Sequence, residues 1–478
     1  MKAIKKSIYP ALPVLGILFC LWYICTATSN IVYTDYIRLV NTYLPDVWSA
    51  EKFFVPDILT RIPVYYLGRI INVTFFGYST TFDMVLGVLG LGLSGLVLGA
   101  YCKEWEIPAV WYLILIFVFF NLNKWEMLTN GSGWAHFLAF AGFYYHYLVL
   151  DRIVSRREKK NDRKLLLLLP FVNTLLIAGP YCAVYTVTMI LFCFYAMISQ
   201  MRERRKQHQQ ADIGYWLKAQ ICILIPFFLY LWSNSYAVED HANTYDISLL
   251  EVLQTSPGFF VRFLLKSLAS TVIGGETLEI WLNDPNHIIG NKHVYLLGAV
   301  VALAFLVAFV LFLRTRMYNE TIFPAMLFIS GIGNYGIVLI SRYIFLNENY
   351  GMSSRYALQY QAGLLGVLLI FALAWRSPQL KAKAYKAVLI PFVILIVSGM
   401  AHTNYKEIQK APYRKASMEL KAAAALRFEE LDDTELPEIF EYRKSRADSG
   451  EKVRQALTVL KENEWNVFRK DASFIDSE

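Results

Sequence analysis

"GMSSRYALQYQAGLLGVLLIFALAWRSPQLKAKAYK", residues Gly351 to Lys386, holds a run from Tyr356 to Trp375 without a charged side chain. One arginine, Arg355, precedes the run, and four basic residues, Arg376, Lys381, Lys383 and Lys386, follow it. Twenty helical residues rise about 30 Å, the thickness of a bilayer's hydrocarbon core, so the run reads as a membrane-crossing helix. Lys and Arg collect in the short loops on the cytoplasmic side. The Arg376 end is therefore expected inside and Arg355 outside, where orientation bias does not account for a cation.

The same pattern fills the chain. Of 478 residues 56% are hydrophobic and 18% charged, against about 45–50% and about 25% in soluble domains. The excess falls into blocks of spanning length at Tyr9–Thr28, Phe82–Tyr101, Ile107–Asn121, Gly133–Leu150, Leu165–Ala178, Tyr181–Ser199, Trp216–Asn234, Val294–Leu313, Ile322–Ile340, Tyr356–Trp375 and Ala387–Ala401. "AGPY" separates the fifth from the sixth as a tight turn. The first block has a basic start but no small-residue cleavage site, and is expected to be a retained helix. The expected fold is an all-α polytopic bundle of eleven spans with the N-terminus inside. In that arrangement the cytoplasmic loops hold 21 Lys and Arg, and the two short loops on the other face hold two. The net charge of +8 then serves orientation and implies no nucleic-acid partner. The six cysteines lie within or at the ends of apolar segments and form no CxxC pair, so neither a disulfide framework nor a zinc site is expected.

The outer face carries the long segments: a loop at 29–81, a second at 235–293, and a tail at 402–478 rich in helix formers and mixed in charge. The transmembrane domain is thus expected over residues 1–401, with the tail outside the membrane. "DILTRIPVYYLGRIINVTFFGY", with Arg61 and Arg69, and "PGFFVRFLLKSLASTVIGG", with Arg262 and Lys266 at i and i+4, are nearly apolar enough to cross. Each carries charges that cost about 2.5–3.5 kcal/mol in mid-bilayer. Letting either cross would also invert every later loop. Both are expected to lie in the outer interface with their cations wet.

Polar residues able to do chemistry gather on this face. Asp35 lies just past the first span between Tyr33 and Tyr36; Asp46 and Asp57 follow. A carboxylate at a low-dielectric edge can accept a proton from a substrate hydroxyl, although a solvated loop acid or helix cap is the plainer reading of any one of them. Arg342, in "ISRYIF", and Arg355, in "SSRYAL", repeat a Ser-Arg-Tyr triplet near the outer ends of neighbouring spans. Guanidinium forks match phosphate oxygens; snorkelling to lipid headgroups or pairing with Glu348 is the competing account. Glu239, Asp240, His241, Asp246, Asp284, His287 and His293 in the second loop are metal-capable types without ligand spacing. His136, His146, Asn173, Gln220 and Asn334 within spans read as interhelical hydrogen bonders. Asn72 and Asn130 stand in N-x-S/T sequons. No nucleotide or protease motif occurs in a credible setting.

The layout resembles the GT-C class of integral-membrane glycosyltransferases, in particular the bacterial proteins of surface-polysaccharide, teichoic-acid or O-antigen glucosylation systems. The likeness rests on "YTDYIRL" (Tyr33–Leu39), the outer "SSRYALQY" (Ser353–Tyr360) and the tail phrase "VRQALTVLKENEWNVF" (Val453–Phe468). It implies a bacterial plasma-membrane enzyme that moves a sugar from a polyprenyl-phosphate donor to a glycan or lipid-linked acceptor. Asp35 would be the base, and Arg355, Arg342, Arg38 and Tyr356 would bind substrate. No nucleotide cofactor is implied; a divalent metal is left open. Members often carry paired acids in the first loop, whereas Asp35 here stands alone between Thr34 and Tyr36. A polymerase or ligase of lipid-linked glycans, or a lipid-glycan transporter, would share much of this outline.

Overall fold

The computed structural model of the chain describes residues 2–53, 62–207, 212–235, 245, 247–286, 288–376, 383–444 and 446–469. Among these residues the protein is all-α, with 82% helix and no strand. In chain order the helices are α1 (Lys2–Ala27), α2 (Asp35–Tyr43), α3 (Pro63–Phe76), α4 (Thr80–Glu104), α5 (Ala109–Phe119), α6 (Trp125–Thr129), α7 (Trp134–Val154), α8 (Asp162–Phe171), α9 (Cys182–Lys206), α10 (Ile213–Asn234), α11 (Leu249–Thr255), α12 (Pro257–Ser270), α13 (Gly275–Leu282), α14 (Asn291–Arg314), α15 (Phe323–Arg342), α16 (Ala357–Arg376), α17 (Lys383–Leu426), α18 (Leu436–Ile439) and α19 (Ser449–Glu462).

Nine of the described helices are long and apolar enough to cross a membrane, and the chain is a multi-pass membrane protein. They correspond to nine of the eleven expected spans. The other two are α7 and α8, and both are helical. α8 runs on through a π-helical turn, Val172–Ala178, before the break at Gly179. α7 misses the apolarity mark because it carries His136, four tyrosines or histidines from Tyr144 to Tyr147, Asp151 and Arg152. Most of α7 is buried within the bundle, so it has little lipid to face and its polar groups find protein partners.

α16, the helix of the opening stretch, is the axis of the bundle, buried along nearly its whole length from Ala357 to Ala374. It touches α15 backbone to backbone: a Cβ added at Gly331 would lie 2.2 Å from the Gly363 Cα. Small residues permit such contact between membrane helices. At the turn after α5, Lys124 is fully buried and donates to the carbonyls of Phe119 (3.0 Å) and Asn121 (2.7 Å). A cation there satisfies orphan carbonyls at the negative end of α5.

The loops sort to two ends as the basic pattern requires. At the basic end Arg376 donates to the carbonyls of Trp105 and Glu106, Arg152 pairs with Glu104, and Tyr195 reaches the Tyr318 carbonyl. At the opposite, loop-rich end α17 continues as one helix through residue 401. Its 44 residues would reach about 66 Å, roughly twice the hydrocarbon thickness. Its last turns, α18 and α19 share a core with α2: Ile37, Val40 and Tyr43 pack with Ala425, Phe428, Leu457 and Leu460. The Asn466 amide donates to Asn30 Oδ1 (3.1 Å) and the Tyr78 carbonyl (3.0 Å), tying the tail phrase to the first loop.

The two near-apolar helices differ from expectation. In each, one cation points inward, while Arg262 stays half exposed as expected. Arg69 of α3 is 8% exposed, with its guanidinium 3.7 Å from the Tyr43 ring centroid, while Leu67, Ile71 and Phe75 face outward. Lys266 of α12 is 2% exposed and bound to Glu348, while Val261 faces outward. Beside lipid the favoured exposed face is the apolar one, and polar groups turn to protein partners. α12 and α13 form a pair bent by 118°. Arg61 and Asp57 lie outside the described residues.

Candidate functional site

The site begins with a strained residue. Thr34 has φ 49° and ψ −125°, a conformation that costs a β-branched residue about 1–3 kcal/mol. It is held there from two sides: its N–H donates to the Phe440 carbonyl at 2.9 Å, and its Oγ1 accepts from the Asn130 amide at 3.2 Å. The bend starts α2 at the next residue, so Asp35 stands exposed in the first turn. The free N–H groups of that turn favour a carboxylate. Tyr36 turns the other way, and its hydroxyl donates to Asp83 Oδ2 at 2.9 Å; the Asn72 amide donates to Oδ1 at 3.1 Å. Asn72 is therefore buried and engaged. Gly131 makes the fit possible, since a Cβ there would meet Tyr36 Oη at 2.6 Å and Asp83 Cβ at 2.7 Å.

Arg355 lies in the short turn before α16. Its Nε donates to Glu126 Oε1 at 2.5 Å, and the neighbouring Ser354 hydroxyl donates to Oε2 at 2.9 Å. Glu126 thus fixes the turn with both oxygens. The guanidinium is still half exposed, and its two terminal nitrogens have no hydrogen-bond partner among the described residues. The negative charges of Glu126 and Asp35 both act on it. Glu126 is held in turn by α6, whose Trp125 carries the Arg414 guanidinium 3.2 Å from its ring centroid. Arg414 also pairs with Glu276 and Glu407.

Arg342, at the end of α15, joins the same group. Its guanidinium lies 5.8 Å from the Tyr356 ring and acts on the Tyr356 hydroxyl, while its buried Nε has no partner among the described residues. Tyr181, ahead of α9, feels Tyr356, Arg342 and Arg355 and lies 3.3 Å from His136 Nδ1. His136 Nε2 and Gln359 Oε1 are buried without partners among the described residues. Arg355, Arg342 and Tyr356 are therefore together, with the Asp35 charge in range. Arg38, three residues on from Asp35, acts on Tyr78, toward the Asp83 cluster. Asp46 is exposed on the loop after α2.

Sequence reasoning missed Thr34, Glu126, Asn130 and Tyr181. Glu126 is the acid of the first short outer loop, and its partner Arg355 lies 229 positions away. Glu348, read as a partner for Arg355 or Arg342, instead binds Lys266, Arg262 and Tyr295. The span polars behave as interhelical bonders: His146 meets Tyr185 Oη at 2.6 Å, Asn173 donates to the Gly142 carbonyl, and Asn334 to the Gln359 carbonyl. Gln220 Nε2 has no partner among the described residues. Glu239, Asp240, His241, Asp246 and His287 lie outside the described residues; Asp284 accepts from the Asn286 N–H and His293 from the Gly290 N–H. Among the described residues no three His, Cys, Asp or Glu side chains meet in a metal-binding group, and all six cysteines are free. Comparison of the chain with family models, with curated proteins and with solved structures returned no match.

Proposed function

We propose that the protein is a membrane glycosyltransferase that moves a sugar from a polyprenyl-phosphate donor to a glycan or lipid-linked acceptor at its loop-rich end. The positive-inside bias supports reading that end as the outer face, and the resemblance supplies the bacterial plasma membrane. The observation that carries the reading is the convergence of Arg342, Arg355 and Tyr356 beside the exposed Asp35. The resemblance of the "YTDYIRL" and "SSRYALQY" phrases supplies the reaction class.

The chemistry follows from those groups. An acceptor hydroxyl attacks the anomeric carbon as the bond from that carbon to the phosphate oxygen breaks. Asp35 accepts the hydroxyl proton, and polyprenyl phosphate departs with the bonding electrons. Charge grows on the phosphate as it leaves, and forked guanidinium donors stabilise it more than they stabilise the ground state. The terminal nitrogens of Arg355 can serve while Glu126 holds Nε and so fixes the fork. The strain at Thr34 and its bond to Asn130 keep Asp35 at the mouth of the group. Membrane lipids surround the donor's chain.

The test uses the full-length protein in native membranes with a panel of radiolabelled polyprenyl-phosphate hexoses. Transfer of label into a membrane or glycan product is expected, and it should be lost with Asp35→Asn at unchanged protein level. A chain that consumes none of the donors, or an Asp35→Asn variant with full activity, refutes the reading.

A further inference from the structure

A second polar site lies away from Arg355, where the bent pair α12–α13 faces the start of α14 and the loop before Tyr350. It is a crevice of about 470 Å³ lined by Phe259, Arg262, Lys266, Leu282, Asn291 and Glu348, among others. Lys266, 2% exposed, donates to Glu348 Oε1 at 3.0 Å and to Asn349 Oδ1 at 2.5 Å. Arg262 donates through Nε to Glu348 Oε2 at 2.8 Å, and Tyr295 donates its hydroxyl to Oε1 at 2.8 Å. Burial raises the Glu348 carboxyl, but the hydrogen bonds from Lys266, Tyr295 and Arg262 outweigh it and hold the group below the usual carboxylate range. Glu348 is thus ionised and neutralises one of the two cations.

The crevice is left with one positive charge and with unspent donors. Arg262 is 47% exposed, and its two terminal nitrogens have no hydrogen-bond partner among the described residues. Asn291 opens the 24-residue α14 after Gly290, which has no side chain to cap the first turn. N–H groups at such a terminus favour an anion. Phe259, Leu282 and Leu346 give the wall apolar patches among Asn283, Asn347 and Asn349, and the flanking helices turn Val261 and Leu296 outward.

We propose that this crevice binds the phosphodiester headgroup of one anionic membrane phospholipid. Arg262, Lys266 and the first turn of α14 take the phosphate, and the acyl chains lie along Phe259, Leu282 and Leu346. A single positive charge suits a singly charged phosphodiester, and the exposed apolar Val261 and Leu296 on the flanking helices favour a lipid over a soluble phosphate. The inference stands apart from the sugar-transfer reading, because its readout is lipid occupancy.

The purified full-length protein in detergent is titrated with dihexanoyl-phosphatidylglycerol, and bound lipid is counted by native mass spectrometry. The wild type is expected to retain one lipid, and Arg262→Gln to bind about tenfold more weakly, the loss of one charge-assisted contact. Arg262→Lys should fall between them, and Asp35→Asn should bind as the wild type does. A thermal melt of Arg262→Gln checks that the variant is folded. Equal affinity of folded Arg262→Gln, or of zwitterionic dihexanoyl-phosphatidylcholine, overturns the charge argument. Equal affinity of water-soluble glycerophosphoglycerol overturns the lipid assignment.

Discussion

Two charge clusters at opposite ends of the bundle use ion pairs in opposite ways. At the basic end Asp151 is fully buried, and its Oδ1 accepts from the Thr321 hydroxyl (2.7 Å), the Ile322 N–H (2.7 Å) and the Phe323 N–H (3.1 Å). Arg152 meets Glu104 with a fork at 2.9 and 2.6 Å. Donors and acceptors there are spent on one another, which locks the start of α15 to α7. At the loop-rich end Arg355 and Arg262 each give Nε to a glutamate and keep their terminal nitrogens toward open space. An ion pair that consumes its partners is architecture. One that only anchors its cation leaves binding capacity, and the strained Thr34 lies at that same end.

That contrast can be broken by substitutions at either end. The largest expected effect is on Asp35→Asn: sugar transfer should fall at least about a hundredfold, the usual contribution of a positioned base, with no shift in melting temperature. A matching drop in stability would move Asp35 to the structural side. Next comes Asp151→Ala, which strands four donors: the Thr321 hydroxyl, the Ile322 and Phe323 N–H groups and the Trp105 indole N–H. It should destabilise the bundle by about 3 kcal/mol, read in a detergent thermal melt, with transfer per folded molecule unchanged. A loss of transfer without a loss of stability would mean the basic end is not mere architecture.

Arg355→Lys keeps a charge but loses the fork, and donor use should weaken about tenfold with little change in stability. If transfer kinetics over a range of donor concentration are unaltered, the guanidinium serves only Glu126. The smallest effect is expected for Asn466→Ala. It removes the amide bonds to Asn30 and Tyr78 and should cost about 1 kcal/mol. Proteolysis of the tail should speed up more than transfer slows; the reverse order would place the tail within the site's function.

Much of the fold was legible because the bilayer constrains sequence harshly. An apolar run of fixed length and a basic loop after every second span are local features, and the eleven expected spans are all helical in the structure. Asp35, Arg342, Arg355 and Tyr356 were legible as polar residues without an orientation role on the tail-bearing side. α3 and α12 were misread for a physical reason. A helix with apolar and cationic faces has the same period whether its cations meet water or a buried carboxylate, and the burial of Arg69 and Lys266 depends on Tyr43 and Glu348, far away in the chain.

The sequence by itself determined the all-α bundle, the sorting of its loops to two ends and the side on which Arg355 lies, because hydrophobic length and loop charge act through neighbouring residues. Only the tertiary structure decided that Glu126 anchors Arg355, that Thr34 is bent to present Asp35, that the tail closes over the first loop through Asn466, and that α12 faces Glu348 across a crevice. Each of these joins residues tens to hundreds of positions apart, and such pairings are fixed by the packing of whole helices.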